Sequence, residues 1–225
     1  GNPQITFFKI VYRRHTNFSM ECIQQTVNGS TTVSDTYVTA GTVTVSRNGD
    51  LLSQIYVKTD QETTSGINGD YLIQDVEIEI GGQRMDKHYR EWHQVWTELT
   101  TPSSKAEGFK YLTGGFKNPL VTGGLASVGG TSQQSVMYPL QFWFCRNIGL
   151  ALPLIALQYH DVKLKFNWSS GAAGDGMSRS GAAAVTPAVQ VWCDYIYLDT
   201  DERRRFAQVS HEYLIEQLLL QEEGS

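Results

Sequence analysis

Hydrophobic and polar positions alternate with a period of two in several separated stretches of the chain. That is the pattern of strands with one buried face and one wet face. Val43 and Val45 alternate with Thr42, Thr44 and Ser46, and Val76, Ile78 and Ile80 alternate with Glu77 and Glu79. Val162, Leu164 and Phe166 alternate with Lys163 and Lys165, and the run from Val189 to Asp199 is rich in Val, Trp and Tyr. The pattern predicts strands over Phe18 to Val27, Tyr37 to Ser46, Leu51 to Thr59, Tyr71 to Ile80, Val136 to Phe144, Leu157 to Trp168 and Val189 to Asp199. An eighth is placed near Ala182 to Pro187. Such a count predicts an all-β fold, an eight-stranded jelly-roll sandwich.

Turn signals refine the pattern. Asn28-Gly29, Asn48-Gly49 and Asn68-Gly69 supply residues that tolerate positive φ, and Asn48-Gly49 separates two strand-like runs, so Thr42 to Lys58 reads as a hairpin. One interruption has helical period. Over Asp86 to Leu99, Tyr89, Trp92, Val95, Trp96 and Leu99 recur at spacings of three and four, and Pro102 follows, which predicts a short helical insertion at the sheet edge. Gly114 to Gly130 and Ser169 to Ala184 are rich in Gly, Ala and Ser without either period and read as long surface loops. Ile5 to Tyr12 fits a short helix through Ile5, Phe8 and Val11 or Tyr12, and a strand through Phe7, Lys9 and Val11. A short helix or turn is preferred.

A short repeat changes the reading of the C-terminus. Arg13-Arg14 is followed by Ser19, Glu21 and Ile23, and Arg204-Arg205 is followed at the same offsets by Ser210, Glu212 and Leu214. The first copy leads into the first strand and the second begins just after the last. Asp201, Glu202 and Arg203 to Arg205 then form a helical linker, with acids in its first turn where the helix dipole favours them. His211 to Leu220 opens a second module whose remainder is missing. The alternative is one amphipathic helix over Asp201 to Leu220. On the first reading, residues 1–17 are a lead-in segment, residues 18–199 a jelly-roll domain, and residues 200–225 a linker toward a missing second jelly roll.

Composition narrows the function. Among 225 residues, 40% are hydrophobic, enough for a buried core, and 11 Tyr, 9 Phe and 21 Gly suit strands joined by turns. With 23 acidic and 18 basic residues the net charge is −5, which offers no footprint for a phosphate backbone, so no direct nucleic-acid partner is expected. Cys22, Cys145 and Cys193 are odd in number and widely spaced, which argues against a disulfide framework or zinc ribbon and for a reducing assembly site. The longest apolar run, around Gly149 to Leu157, contains Pro153 and is too short to span a bilayer, so neither leader nor transmembrane segment is expected.

Chemistry is sparse. His88, Glu91 and His93 invite a metal site, but the histidines are five apart, where a helical pair needs i and i+4, and solvated positions around the Trp92 and Trp96 face are the preferred reading. The glycine pairs at 114, 123 and 129 fit no phosphate-binding motif, and G-x-S-x-G and H-E-x-x-H do not occur. No enzyme, metal or cofactor is expected. Glu77 and Glu79 on one strand, with Lys163 and Lys165 on another, read as solubilising charge able to pair if the strands adjoin. Arg13, Arg14, Arg203, Arg204 and Arg205 precede the first strand of each module and are the candidates for bidentate carboxylate contacts between modules or subunits. Asn17, Asn28 and Asn167 each head a formal glycosylation sequon.

Four stretches taken together resemble one family. They are Asn2-Pro3-Gln4-Ile5-Thr6-Phe7-Phe8-Lys9, Tyr12-Arg13-Arg14-His15-Thr16-Asn17-Phe18, Leu152-Pro153-Leu154-Ile155-Ala156-Leu157-Gln158-Tyr159-His160, and Asp199-Thr200-Asp201-Glu202-Arg203-Arg204-Arg205-Phe206. In this order they resemble the major capsid protein of the nucleocytoplasmic large DNA viruses. The resemblance implies a double jelly roll with its modules side by side, of which this chain carries the first. It further implies homotrimers that form pseudo-hexagonal capsomers, contacts with neighbouring capsomers and minor capsid proteins, and a place in the icosahedral virion capsid after assembly in the host cytoplasm. The alternatives on the same architecture are a jelly-roll carbohydrate-binding module, supported by loop aromatics, and a cupin-like metalloenzyme, disfavoured by five scattered histidines.

Overall fold

A computed structural model of the chain describes residues 17–34, 37–62, 69, 72–113, 133–169 and 188–221. The strands are β1 (Phe18–Gln25), β2 (Val27–Gly29), β3 (Thr39–Thr44), β4 (Leu51–Glu62), β5 (Ile73–Ile80), β6 (Gln83–Tyr89), β7 (Gln133–Pro139), β8 (Leu152–Pro153), β9 (Val162–Trp168) and β10 (Val189–Leu198). The helices are α1 (Arg90–Thr100), α2 (Ser103–Thr113), the single turn α3 (Trp143–Arg146) and α4 (Thr200–Gln208).

Every pairing is antiparallel. One sheet runs β1-β10-β4-β7, with β8 also on β4, and the other runs β2-β3-β9-β5-β6. Setting aside the two- and three-residue strands, four long strands in each sheet give the jelly roll that the alternation predicts. The predicted strand from Phe18 to Val27 is divided, because the chain bends at Thr26 and passes from one sheet into the other. The β1 and β2–β3 edges therefore share one flank of the sandwich, and β7 and β6 form the other.

Alternation places the core between the sheets. In β9, Val162, Leu164, Phe166 and Trp168 are buried while Lys163, Lys165 and Asn167 face out. Trp168, Tyr138, Tyr195, Phe142, Phe144 and Phe166 are the largest fully buried side chains. Phe166 stacks on Trp168 with ring centroids 4.7 Å apart, and the Trp168 indole donates to the Ser30 carbonyl at 3.0 Å, so its polar edge is satisfied inside the core.

Three sequence expectations are corrected. The segment Thr42 to Lys58 is not a hairpin, since β3 pairs with β2 and β9 while β4 pairs with β10, β7 and β8 in the opposite sheet. Alternation establishes which face of a strand is wet and says nothing of its partner. Gly49 is needed there for space, because a Cβ would lie 2.7 Å from the Cβ of buried Tyr195. The tight hairpin lies elsewhere, at Gly81-Gly82 between β5 and β6, where φ is +60° and +85°.

Secondly, the helical insertion begins at Arg90. Asp86 to Tyr89 are strand, with Asp86 and His88 turned into the sandwich. Polar residues at inward positions hid the period-two pattern, and α2 follows Pro102 as a second helix that the sequence reading had not marked. Thirdly, strand character ends at Pro139 in the stretch Val136 to Phe144, where α3 begins at Trp143, and Leu157 to Asp161 are turns ahead of β9. The expectations on Ile5 to Tyr12, Ala182 to Pro187, most of both long loops and Arg13-Arg14 lie outside the described residues.

The predicted charge pairs do adjoin. Glu77 and Glu79 of β5 lie across from Lys165 and Lys163 of β9, with an ion pair from Lys165 to Glu79, and Lys87 of β6 contacts Asp75 at 3.2 Å and Glu77 at 3.1 Å.

Candidate functional site

The chain beyond β10 folds back onto the jelly roll, and the polar chemistry of the described residues concentrates along that path. Asp199 caps α4, its carboxylate accepting from the Thr200 amide at 2.6 Å, and Asp201 and Glu202 occupy the first turn. The helix stops at Gln208, and residues 210–221 belong neither to a helix nor to a strand ladder, which removes the alternative of one helix through Leu220. From His211 to Glu216 burial alternates strand-like, with His211, Tyr213 and Ile215 turned toward the protein.

Three anchors fix this segment. At the first, Arg203 grips Asp50 with two guanidinium nitrogens, Nε to Oδ1 at 3.0 Å and Nη2 to Oδ2 at 3.1 Å. Asp50 is nearly buried and also accepts the Leu198 amide at 2.7 Å, so one carboxylate ties the linker helix to the end of β10. At the second, Arg146 of α3 pairs with Glu216, donates from Nε to the Gln141 carbonyl at 3.0 Å, and lies 4.0 Å over the Trp96 ring. At the third, buried Asp86 accepts the Leu218 amide at 2.9 Å on Oδ1 and lies 2.8 Å from His88 Nε2 through Oδ2, while Gln217 donates to the Met85 carbonyl. Between the first anchor and the other two the segment crosses one end of the sandwich. It covers an apolar cleft of about 570 Å³ lined by Ile80, Met85, Trp143, Leu152, Phe206 and Ile215.

The two histidines considered as metal ligands are core residues. His88 stacks on Phe142 at 4.6 Å and His93 on Tyr138 at 5.2 Å, and both are essentially inaccessible, which corrects the expectation of solvated positions. Burial, and the neighbouring His88, push the His93 imidazole down to about 3, so it is neutral across the physiological range. Glu91 points to solvent beside Arg90, and among the described residues no three His, Cys, Asp or Glu side chains converge as a metal site would require.

The sequence-derived candidates fall out as follows. Arg203 holds Asp50, Arg205 lies 4.0 Å from Glu202 one turn away, and Arg204 is exposed. Asn17 and Asn28 are exposed, whereas the Asn167 amide donates to both oxygens of Asp75 at 3.0 and 3.1 Å and its sequon partner Ser169 is buried, which leaves Asn167 poorly placed for a glycan. The sequence reading missed Asp50, Asp86 and Arg146. Asp50 looks like a turn residue after Asn48-Gly49, and only the inward register of β6 distinguishes Asp86 from surface charge. No helix of the described residues is long and apolar enough to cross a membrane.

Comparison with known proteins matches residues 6–199 to a family model described as the major capsid protein N-terminus. The chain is 53% identical to the major capsid protein of Pyramimonas orientalis virus, over 97% of this chain and 54% of the relative. It is 47% identical to that of Paramecium bursaria Chlorella virus 1, over 97% of this chain and 48% of the relative. Among solved structures, a quasi-atomic model of the PBCV-1 virus capsid superposes with a TM-score of 0.77 at 44% identity, covering 94% of this chain and 50% of that one. The chain thus spans about half the length of the relatives it matches.

Proposed function

Because the chain belongs to the major capsid protein family of the nucleocytoplasmic large DNA viruses, we propose that it serves as the first jelly roll of a two-module protein that builds an icosahedral virion shell. The observation that carries this reading is where the family match ends. It stops at Asp199, the residue that caps α4, so the domain ends where the linker begins. On this reading residues 18–199 are the first module, residues 1–17 its lead-in, and residues 200–225 the linker and the start of a second module.

The function is geometric. A rigid sandwich presents fixed surfaces, burial at those surfaces supplies the assembly energy, and three two-module copies give the six-lobed outline of a pseudo-hexagonal capsomer that meets its neighbours and minor capsid proteins. Assembly takes place in the host cytoplasm, with the genome enclosed and not gripped. Arg13, Arg14, Arg204 and Arg205 are available for carboxylates of the adjoining module or subunit, and Asn17 and Asn28 for surface glycans. A carbohydrate-binding role draws no support from the family or from the anchors around the linker.

The test is to express the reading frame that encodes this chain together with its continuation, measure the mass by light scattering and image the product by electron microscopy. Trimers of pseudo-hexagonal outline are expected, and charge reversal at Arg204 and Arg205 is expected to weaken them. A stable monomer from the two-module protein would refute the reading.

A further inference from the structure

The two outward faces of the sandwich are chemically unlike. On the β3-β9-β5-β6 sheet the outer positions carry Asp75, Glu77, Glu79, Lys87, Lys163 and Lys165, most of them paired, which is the chemistry of a face in water. On the β1-β10-β4-β7 sheet the register sets Phe18 across from Leu198, Met20 across from Ile196, and Trp192 across from Tyr56, all on the outer face. The charges in those rows are few. Asp194 is already hydrogen-bonded by Cys22 and Tyr56, and Lys58 lies at the far end. Aromatics and Met with depleted charge are the composition of a protein contact and not of a solvated sheet.

The exposure is greatest at the β1 edge. Phe18 is 64% and Met20 49% accessible, and β1 pairs only with β10 among the described residues. That edge carries none of the usual guards, having neither Pro nor Lys over its eight residues. The place where the chain leaves the module bears on what covers this face. Leu218 lies against Asp86 of β6, on the flank opposite β1, so the following half departs from the far side of the sandwich.

We infer that the outer face around Phe18, Met20, Ile196 and Leu198 is a subunit contact, occupied by a second copy of this protein. The inference rests on the capsid reading and adds the surface through which copies meet.

Sedimentation velocity on the 225-residue chain over a wide concentration range tests it, alongside the double variant Phe18→Asp, Met20→Asp and a control, Lys163→Asp, on the opposite face. The unmodified chain and the control are expected to associate reversibly, and the double variant to need about tenfold or more higher concentration for the same association, at an unchanged melting temperature. Should the double variant melt early, hydrogen exchange on the unmodified chain decides. Amides of residues 18–22 are expected to gain protection as concentration rises. A chain that stays monomeric, a double variant that associates normally, or amides 18–22 indifferent to concentration overturns the inference. The capsid reading survives each of these outcomes, because it fails only if the two-module protein forms no capsomer.

Discussion

Replacing Asp50 tests whether the linker is fastened to the jelly roll by one carboxylate. Asp50 holds the Leu198 amide and two nitrogens of Arg203, and its side chain is 10% exposed against 52% for Arg203. Asp50→Ala strands the half-buried Leu198 N–H and removes the acceptor of two charge-assisted bonds. A hydrogen bond to a charged group contributes about 1.5–3 kcal/mol when buried, but Arg203 regains water on release, so its share falls to about 1 kcal/mol. The sum is a loss of about 3 kcal/mol for Asp50→Ala and about 1 kcal/mol for Arg203→Ala, with Asp50→Asn between them. For a chain of this size 3 kcal/mol lowers the melting temperature by roughly 6–12 °C. Calorimetry gives these values, and a double-mutant cycle isolates the Asp50–Arg203 coupling. Trypsin supplies a local readout, since a released linker exposes Arg203 to Arg205 and cleavage there is expected to accelerate before global unfolding. An Arg203→Ala loss as large as that of Asp50→Ala, or unchanged trypsin cleavage in Asp50→Ala, would refute the argument.

Two further outcomes are expected. The buried His93 imidazole stays neutral in the fold down to about pH 3, whereas in the unfolded chain it takes up a proton below its ordinary value of 6.5. Stability from this residue therefore falls as pH drops through that window, by about 1.4 kcal/mol per pH unit. Urea titrations of His93→Leu and the parent chain between pH 6.5 and 5 should diverge by about 2 kcal/mol in favour of the variant, and parallel profiles would count against the burial argument. Gly49→Ala puts a Cβ 2.7 Å from the Cβ of Tyr195, whose hydroxyl is fixed on the Ser46 carbonyl at 2.7 Å, so neither side can yield. A loss of about 2–3 kcal/mol is expected by chemical denaturation, and a neutral result would mean the crossover relaxes freely.

The all-β class, both ends of β10 and the outward lysines of β9 were legible because alternation reports burial directly. Partnership was not. Thr42–Ser46 and Leu51–Lys58 read as one hairpin, yet they stand in opposite sheets, since strand pairing is decided by packing between distant segments. β6 was obscured because Asp86 and His88 occupy inward positions where apolar residues are the rule, compensated by each other and by the Leu218 amide. The same compensation explains why the anchors escaped notice. Arg203 was visible as part of a basic run, but its partner Asp50 lies 153 positions away and only the fold brings the two together.

The bend at Thr26 and the strap that ends on β6 put the chain's way in and way out on opposite flanks. A module built so behaves as a directional link. Modules joined tail to head turn by a fixed angle at each joint, and the rigidity of three anchors keeps that angle from drifting. Whether such a series closes into a ring or runs on as a filament depends on the angle alone. The polar bonds that hold a dozen residues of strap in place thereby act at long range, because small errors at one joint would multiply around the ring.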